Sequence, residues 1–421
     1  MELNFYLNGL NPNFSADQIN NVRDHLKKTV SRSDIGFYSE LKNDALVESC
    51  KKVFKKFSSR TNFFHIGIGG SSLGPEMLLS ALRKKTNSVN FTFINNIDPD
   101  EINDQFSNIT KIENCLFYIV SKSGGTSETI AAAMIIFNLL QEKFGIKEED
   151  FNQYIVICTD PNNGDLRKLS KLLNLENLEV PQSIGGRFSV LSPVGILPAI
   201  FAGIDIEKVI NAGEKFATLE LEKNSNVITT SLLLQNLYQQ QDIKQTVLMP
   251  YSSKLKNFSA WFVQLWAESL GKKLDLNKTQ VNVGFTPIQS YGATDQHSQM
   301  QLFVEGPTDK SIFLISLKKF HHEINLKSSF DLSSFSLLNG FTINQLMEAE
   351  FYGAKQTLID QNKPLFHLEL NQLDEENLGQ LILFFELLTV AQGHLLNIDP
   401  FDQPGVESGK IYTKKWLESQ L

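Results

Sequence analysis

The sequence predicts an α/β protein of two domains, each a parallel sheet covered by helices on both faces. Three observations carry this. Short apolar runs alternate with helical stretches along the chain, which is the pattern of βαβ units. Runs such as Cys115 to Val120 are apolar throughout, as strands buried on both faces are. The pattern pauses over a helical stretch near residues 206–240 and then restarts. A chain of 421 residues agrees with this, since ~150 residues per domain gives two or three.

Taken in order, residues 1–50 are polar and form a flank, helical in part over Ser15 to Thr29, that packs on the second domain. Residues 51–205 form the first domain. The run Phe63 to Ile68 ends in Gly69-Gly70-Ser71-Ser72-Leu73-Gly74, and Pro75 opens a helix, where its missing N–H costs nothing. Phe91 to Ile97 is the next strand. Cys115 to Val120 ends in Ser121-Lys122-Ser123-Gly124-Gly125-Thr126-Ser127, ahead of a helix through TIAAAMIIFNLLQEKF. Tyr154 to Cys158 is a fourth strand. Residues 206–398 form the second domain, with strands over Gln245 to Met249 and Ser311 to Leu317 and a loop-rich stretch from Val281 to Thr308 between them. The amphipathic WFVQLWAESL and a strong helix over Glu375 to Leu396 belong to it, and residues 399–421 are a terminal segment.

Composition narrows the class. Hydrophobic residues are 42% and charged residues 20%, too apolar for a disordered chain. A net charge of −8 argues against a nucleic-acid or anionic-membrane surface. Three cysteines without CxxC encode neither a disulfide frame nor a zinc knuckle. The first residues lack the basic region and apolar run of a signal peptide. The uncharged stretch Ser189 to Ile204 carries Pro193 and Pro198 and is too short to span a bilayer. The expectation is a cytoplasmic protein with no nucleic-acid or membrane partner.

Two Gly/Ser/Thr-rich loops lie where ligands of parallel sheets bind, at the carboxyl ends of strands. A helix N-terminus there presents free N–H groups to a phosphate. Ser and Thr in one such loop are explained by helix capping alone; two neighbouring loops, one with Lys122, fit an anion better. Neither loop matches GxxxxGK[ST], and Gly67-x-Gly69 lacks the third glycine of a dinucleotide fingerprint.

Glu268 lies on the helix side of Trp261 and Leu265, where apolar surroundings would raise its pKa and suit a general base. Pairing with Lys272 or Lys273 is the competing reading. Arg187, after Gly185-Gly186, fits either a ligand-contacting guanidinium or a surface ion pair. His297 fits an acid/base group or a loop histidine. His321-His322-Glu323 has no third ligand nearby, so no metal is expected. Phe401 to Lys410 gathers turn formers and polar groups behind a long helix.

The ordered motifs GIGGSSLGP, SKSGGTSET, IGGRFSVLSPVG, ESLGKK, TDQHSQ and QGHLLNIDPFDQPGVESGK resemble the glucose-6-phosphate isomerase family across residues 66–410. Gln182, Pro400 and Pro404 depart from the family's usual pattern. The resemblance implies two sugar-isomerase-type α/β/α sandwich domains with parallel sheets. It implies reversible isomerisation of glucose 6-phosphate to fructose 6-phosphate, without metal or cofactor, in a homodimer with composite active sites. Ser121, Lys122, Ser123 and Thr126, with Gly70 and Ser71 nearby, would hold the sugar phosphate. Glu268 would shuttle the proton between C1 and C2, Arg187 would stabilise the enediolate, His297 and Lys410 would assist ring opening, and Gln403 would contact substrate. A phosphomannose-accepting isomerase and a non-catalytic sugar-phosphate sensor on the same fold are the alternatives.

Overall fold

The structure, a computed structural model, describes residues 1–7, 13–222 and 225–420. Its strands in chain order are β1 (Glu2–Tyr6), β2 (Asn62–Ile66), β3 (Asn90–Ile94), β4 (Cys115–Ser121), β5 (Ile155–Thr159), β6 (Glu176–Glu179), β7 (Gln245–Pro250), β8 (Lys272–Leu274), β9 (Gln280–Val283), β10 (Thr286–Gln289), β11 (Lys310–Leu317) and β12 (Leu365–Leu370). One five-stranded sheet has the order β3-β2-β4-β5-β6 and is parallel throughout. The other has the order β1-β12-β11-β7-β10, parallel except for β1 at its edge. The fold class is α/β with parallel sheets, as the alternating pattern requires.

Side chains alternate along each strand, so each sheet feeds two cores. Phe63, Tyr118 and Val156 of the first sheet and Leu248, Phe313 and Phe366 of the second belong to one apolar core lying between the sheets. Phe64, Phe117 and Ile157 fill a separate core on the far face of the first sheet. Val247, Ile312 and Leu365 do the same for the second. The central core holds the helices Leu73–Leu82, Pro193–Phe201, Lys256–Leu270 and Glu375–Leu395. The last is long and apolar enough to cross a membrane but is buried inside the protein.

Several elements differ from the sequence reading. Residues 2–6 form a strand, with Phe5 edge-on to Phe366 across the pair; a single edge strand of five residues is too short for its periodicity to stand out. The expected helix after it is present as Ala16–Val30, fixed by a capping box between Ser15 and Gln18. Pro75 sits inside the first turn of Leu73–Leu82 rather than opening it. The stretch 281–308, read as loop-rich, contains β10, which joins the second sheet beside β7. Its sequence TPIQ carries a proline, tolerated because β10 is an edge strand.

The helices Ile206–Glu222 and Glu375–Leu395 cross where glycines face each other. A Cβ on Gly379 would stand 2.1 Å from the Val209 carbonyl oxygen, and one on Gly213 would meet Leu383 at 2.7 Å. Gly353, inside the helix Ile343–Asp360, has open space around it. Gly379→Ala is therefore expected to cost about 1–3 kcal/mol through forced separation of the helices. Gly353→Ala should add about 0.5–1 kcal/mol by restoring helix propensity. Urea unfolding midpoints that move in the same direction for both would contradict this packing.

Candidate active site

The site is built around Arg187, whose side chain is 3% exposed as a residue yet fully engaged. The 3-10 turn Gly186–Phe188 delivers it into a cleft between the two halves. Its Nε–H donates to Ser269 Oγ at 2.7 Å. Nη1 donates to Glu268 Oε1 at 3.1 Å and to Gln403 Oε1 at 3.0 Å. Nη2 donates to the carbonyls of Pro400 and Asp402. All five guanidinium N–H groups are thus spent, as a buried cation requires. Burial pulls its pKa below the usual value, and the Glu268 carboxylate opposes that shift.

Glu268 projects from the last turn of Lys256–Leu270. The apolar surroundings expected for it are not what the structure shows. Trp261 and Leu265 do lie buried on the same helix face, but the carboxylate stands at the edge of that face, 26% exposed, between two hydrogen-bond donors. Arg187 holds Oε1, and Gln264, one turn earlier, donates to Oε2 at 3.0 Å. Lys272 does not pair with it either. The buried Lys272 ammonium donates to the backbone carbonyls of Glu268 and Asp402, so it ties the helix end to the 400–403 loop. Gln264 and Ser269 were not singled out by the sequence reading, and Lys272 was weighed only as a partner of the Glu268 carboxylate; the i, i+4 spacing of Gln264 from Glu268 was the available signal.

The loop 69–72 follows β2 and meets the arginine turn backbone to backbone. A Cβ on Gly70 would stand 2.3 Å from the Gly186 carbonyl oxygen, so only glycine permits the approach. His65, buried with its pKa lowered to about 4 by desolvation, binds the Ser71 carbonyl through Nε2 at 2.6 Å and fixes the loop from below.

The loop after β4 holds a hydroxyl cluster. Ser121 Oγ lies 2.8 Å from Thr126 Oγ1, and Ser123 Oγ lies 3.4 Å and 3.3 Å from the two. Thr126 is the N-cap of the helix Ser127–Asn138, yet no side chain caps that helix. The capping explanation for these hydroxyls therefore fails, and the helix N–H groups remain open toward the loop. Lys122 donates to the Gln182 carbonyl at 3.1 Å, and Gln182 in turn donates to both Asp160 oxygens. A carboxylate at 182 would face Asp160 instead, which accounts for the glutamine there. Burial lowers the Lys122 pKa, Asp160 opposes this, and Arg187 adds to it.

Arg187, Glu268, Gln403 and Gly70 are thus brought into one cleft, with Ser71 and the Ser121–Thr126 loop at the adjacent strand ends. His297 and Lys410 are not among them. His297 is exposed on the 3-10 turn Thr294–His297 and makes no hydrogen bond among the described residues. Lys410 lies on the exposed helix Glu407–Glu418, its ammonium on Glu407. His321 of the His321-His322-Glu323 run binds the Leu373 carbonyl.

The family model described as phosphoglucose isomerase matches residues 27–421. A glucose-6-phosphate isomerase of Rubrobacter xylanophilus is 35% identical over 383 residues, 88% of this chain and 85% of that protein. The crystal structure of a hypothetical protein from Thermus thermophilus superposes with a TM-score of 0.88 at 32% identity, covering 99% of this chain and 100% of that one. A glucose-6-phosphate isomerase from Chlamydia trachomatis shares the fold, with a TM-score of 0.77 at 22% identity, covering 99% of this chain and 81% of that one.

The hydroxyl cluster generates a discriminating expectation. Ser123→Ala with Thr126→Ala should weaken binding of inorganic phosphate by roughly tenfold or more, since hydrogen bonds to charged groups are worth ~1.5–3 kcal/mol. The unfolding midpoint should hardly move. Calorimetry showing unchanged phosphate affinity together with a stability loss of about 1 kcal/mol would restore the capping role.

Proposed function

The chain belongs to the phosphoglucose isomerase family, and from that premise we propose that the Arg187 cleft is where it works. The activity is the aldose–ketose isomerisation of glucose 6-phosphate and fructose 6-phosphate. The observation that carries the assignment of the cleft is the Arg187–Glu268 pair at 3.1 Å, set beside an uncapped hydroxyl loop.

The chemistry follows from charge. The loops 69–72 and 121–127 hold the phosphate through hydroxyls, helix N–H groups and Lys122. Once the ring is open, Glu268 removes the C2 proton and returns it to C1. It is only partly exposed, held at both oxygens by Arg187 and Gln264, and so aimed at one position. Removing the proton moves negative charge onto the oxygens of a cis-enediol(ate). A preorganised guanidinium stabilises such charge without reorganising. Gln403, on Arg187 and exposed at the cleft mouth, contacts the sugar. Glu76, the nearby alternative carboxylate, is engaged by Ser72 and by Asn95 at 2.7 Å. No step calls on a metal or cofactor. The sensor alternative would have no need of a positioned base beside an arginine.

Ring opening is assigned to His297 and Lys410, and each site is completed by a second copy of the chain. His297 is exposed and, among the described residues, makes no hydrogen bond to the residues around Arg187. The C-terminal helix exposes Ile411, Tyr412 and Trp416, and residues 330–337 expose Phe330, Phe335 and Leu337, apolar surface of the kind a partner covers. The three cysteines are buried and free, which fits a reducing cytoplasm.

Two experiments test these assignments. Glu268→Gln keeps the shape and one of the two hydrogen-bond acceptors but removes the proton acceptor. It is expected to lower kcat by ~10²–10⁴ with little change in KM; kcat above about a tenth of wild type would remove Glu268 as the base. The composite site is tested by mixing inactive His297→Ala and Glu268→Gln chains under verified subunit exchange. Random pairing makes half the dimers mixed, each with one intact site, so activity should return to about a quarter of wild type. No recovery would place His297 in its own chain's site.

A further inference from the structure

Each sheet has one point where the chain changes its direction of travel, and ligands in such folds bind beyond the strand ends at that point. In the first sheet β2 leads to β3 on one side and β4 to β5 on the other, and the two loops of the Arg187 cleft lie at their ends. In the second sheet β7 leads to β10 and β11 leads the opposite way to β12, so the corresponding crevice opens beyond Pro250 and Leu317. The two intervening helices lie on opposite faces: Lys256–Leu270 packs in the central core and Ile343–Asp360 in the outer one. A cavity of about 770 Å³ occupies that crevice.

Its interior has polar groups that the fold leaves unmatched. Tyr251, the residue after β7, and His367 of β12 both line it, at 1% and 4% exposure. Tyr251 Oη and His367 Nδ1 have no hydrogen-bond partner among the described residues. His367 Nε2 is already taken by Ser316 Oγ at 2.8 Å. Buried polar atoms are nearly always paired, so two unpaired ones in the wall of one cavity point to something that pairs them. Phe351 packs against both rings, 5.0 Å from that of Tyr251 and 4.7 Å from that of His367 by centroids. The half-buried Lys355 lines the same cavity. Its ammonium lies over the rings of Tyr6 and Phe351 and makes no ion pair among the described residues. Lys318, by contrast, is neutralised by Glu2 and Glu369. The remaining charges at the mouth, Lys319, Glu323 and Glu348, are exposed to solvent. The volume is within the range of small-molecule sites, ~300–1,000 Å³.

We propose that this cavity is a second ligand site, separate from the Arg187 cleft, for a small organic anion bearing hydroxyl groups. The anionic end meets Lys355, and the hydroxyl end pairs with Tyr251 Oη and His367 Nδ1. The aromatic wall of Phe351 covers the carbon chain. Tyr251 remains a neutral donor, because burial pushes its pKa further above the usual phenol value.

The test is NMR of the whole protein with labelled histidine, reading the His367 imidazole. That signal is assigned by its loss in His367→Gln or its displacement in Ser316→Ala. Glycerol 3-phosphate and glycerate are titrated separately, with glycerol as the uncharged control. Saturable movement of the His367 signal with either anion, and none with glycerol, is the expected result; which anion acts identifies the acid group. Lys355→Ala should weaken the response by roughly tenfold or more, the worth of one charge-assisted contact, and Tyr251→Phe should weaken it too. The response should persist unchanged in the Ser123→Ala/Thr126→Ala protein. No movement with either anion, an equal response in Lys355→Ala, or its loss in the loop variant would overturn the proposal.

Discussion

A buried guanidinium with no spare donor is the constraint around which the rest of the site is arranged. Arg187 comes from the end of the first half, Glu268 and Ser269 from a helix after β7, and Pro400, Asp402 and Gln403 from the terminal segment. A charge taken out of water is tolerable only when every N–H finds an acceptor. Each of the three segments must therefore hold its place for the others to do so. Lys272 reinforces the same joint, donating to the Glu268 and Asp402 carbonyls from a buried position, with its pKa lowered chiefly by burial. The aromatic rings of Phe37, Phe188 and Phe401 pack together behind it, so the polar joint is backed by an apolar one.

The same contacts set the geometry around Arg187 while leaving the neighbouring helix end open. The contact of Gly70 with Gly186 fixes the distance from the first anion loop to the arginine. The second loop spends its hydroxyls on each other, leaving the start of Ser127–Asn138 uncapped. That is an energetically incomplete helix end, and helix ends of this kind are suited to an anion. The second sheet repeats the topological logic with different residues. Its switch point has no glycine loops but a half-open cavity lined by Tyr251, His367 and Lys355. The same backbone plan therefore places two crevices in one chain, and side chains decide what each receives.

Much of this was legible in the residue order. The apolar runs gave β2, β4, β5, β7 and β11 to within two residues, because strands buried on both faces carry long unbroken apolar stretches. The loops 69–72 and 121–127 announced themselves through glycine and hydroxyl content, and Arg187, Glu268 and Gln403 through motifs that resemble a known family. Less visible were β1, β6 and β10, short edge strands whose partners supply what their own sequences lack, and β12, an interior strand whose apolar run is broken by His367 and Glu369.

What the sequence by itself determined is the alternation of elements and the chemical inventory, since periodicity and residue type are local properties. What only the tertiary structure decided is how that inventory is joined. Glu268 is a carboxylate between an arginine and a glutamine rather than one in apolar surroundings, because Arg187, 81 positions earlier, folds back onto it. Lys272 bonds Asp402 and the Glu268 backbone rather than the Glu268 carboxylate because the 400–403 loop, 130 positions away, arrives at its tip. Tyr251 and His367 share one cavity because β7 and β12 flank β11 in the sheet. Partnerships across such separations depend on where the chain returns to itself, and no local pattern encodes that position.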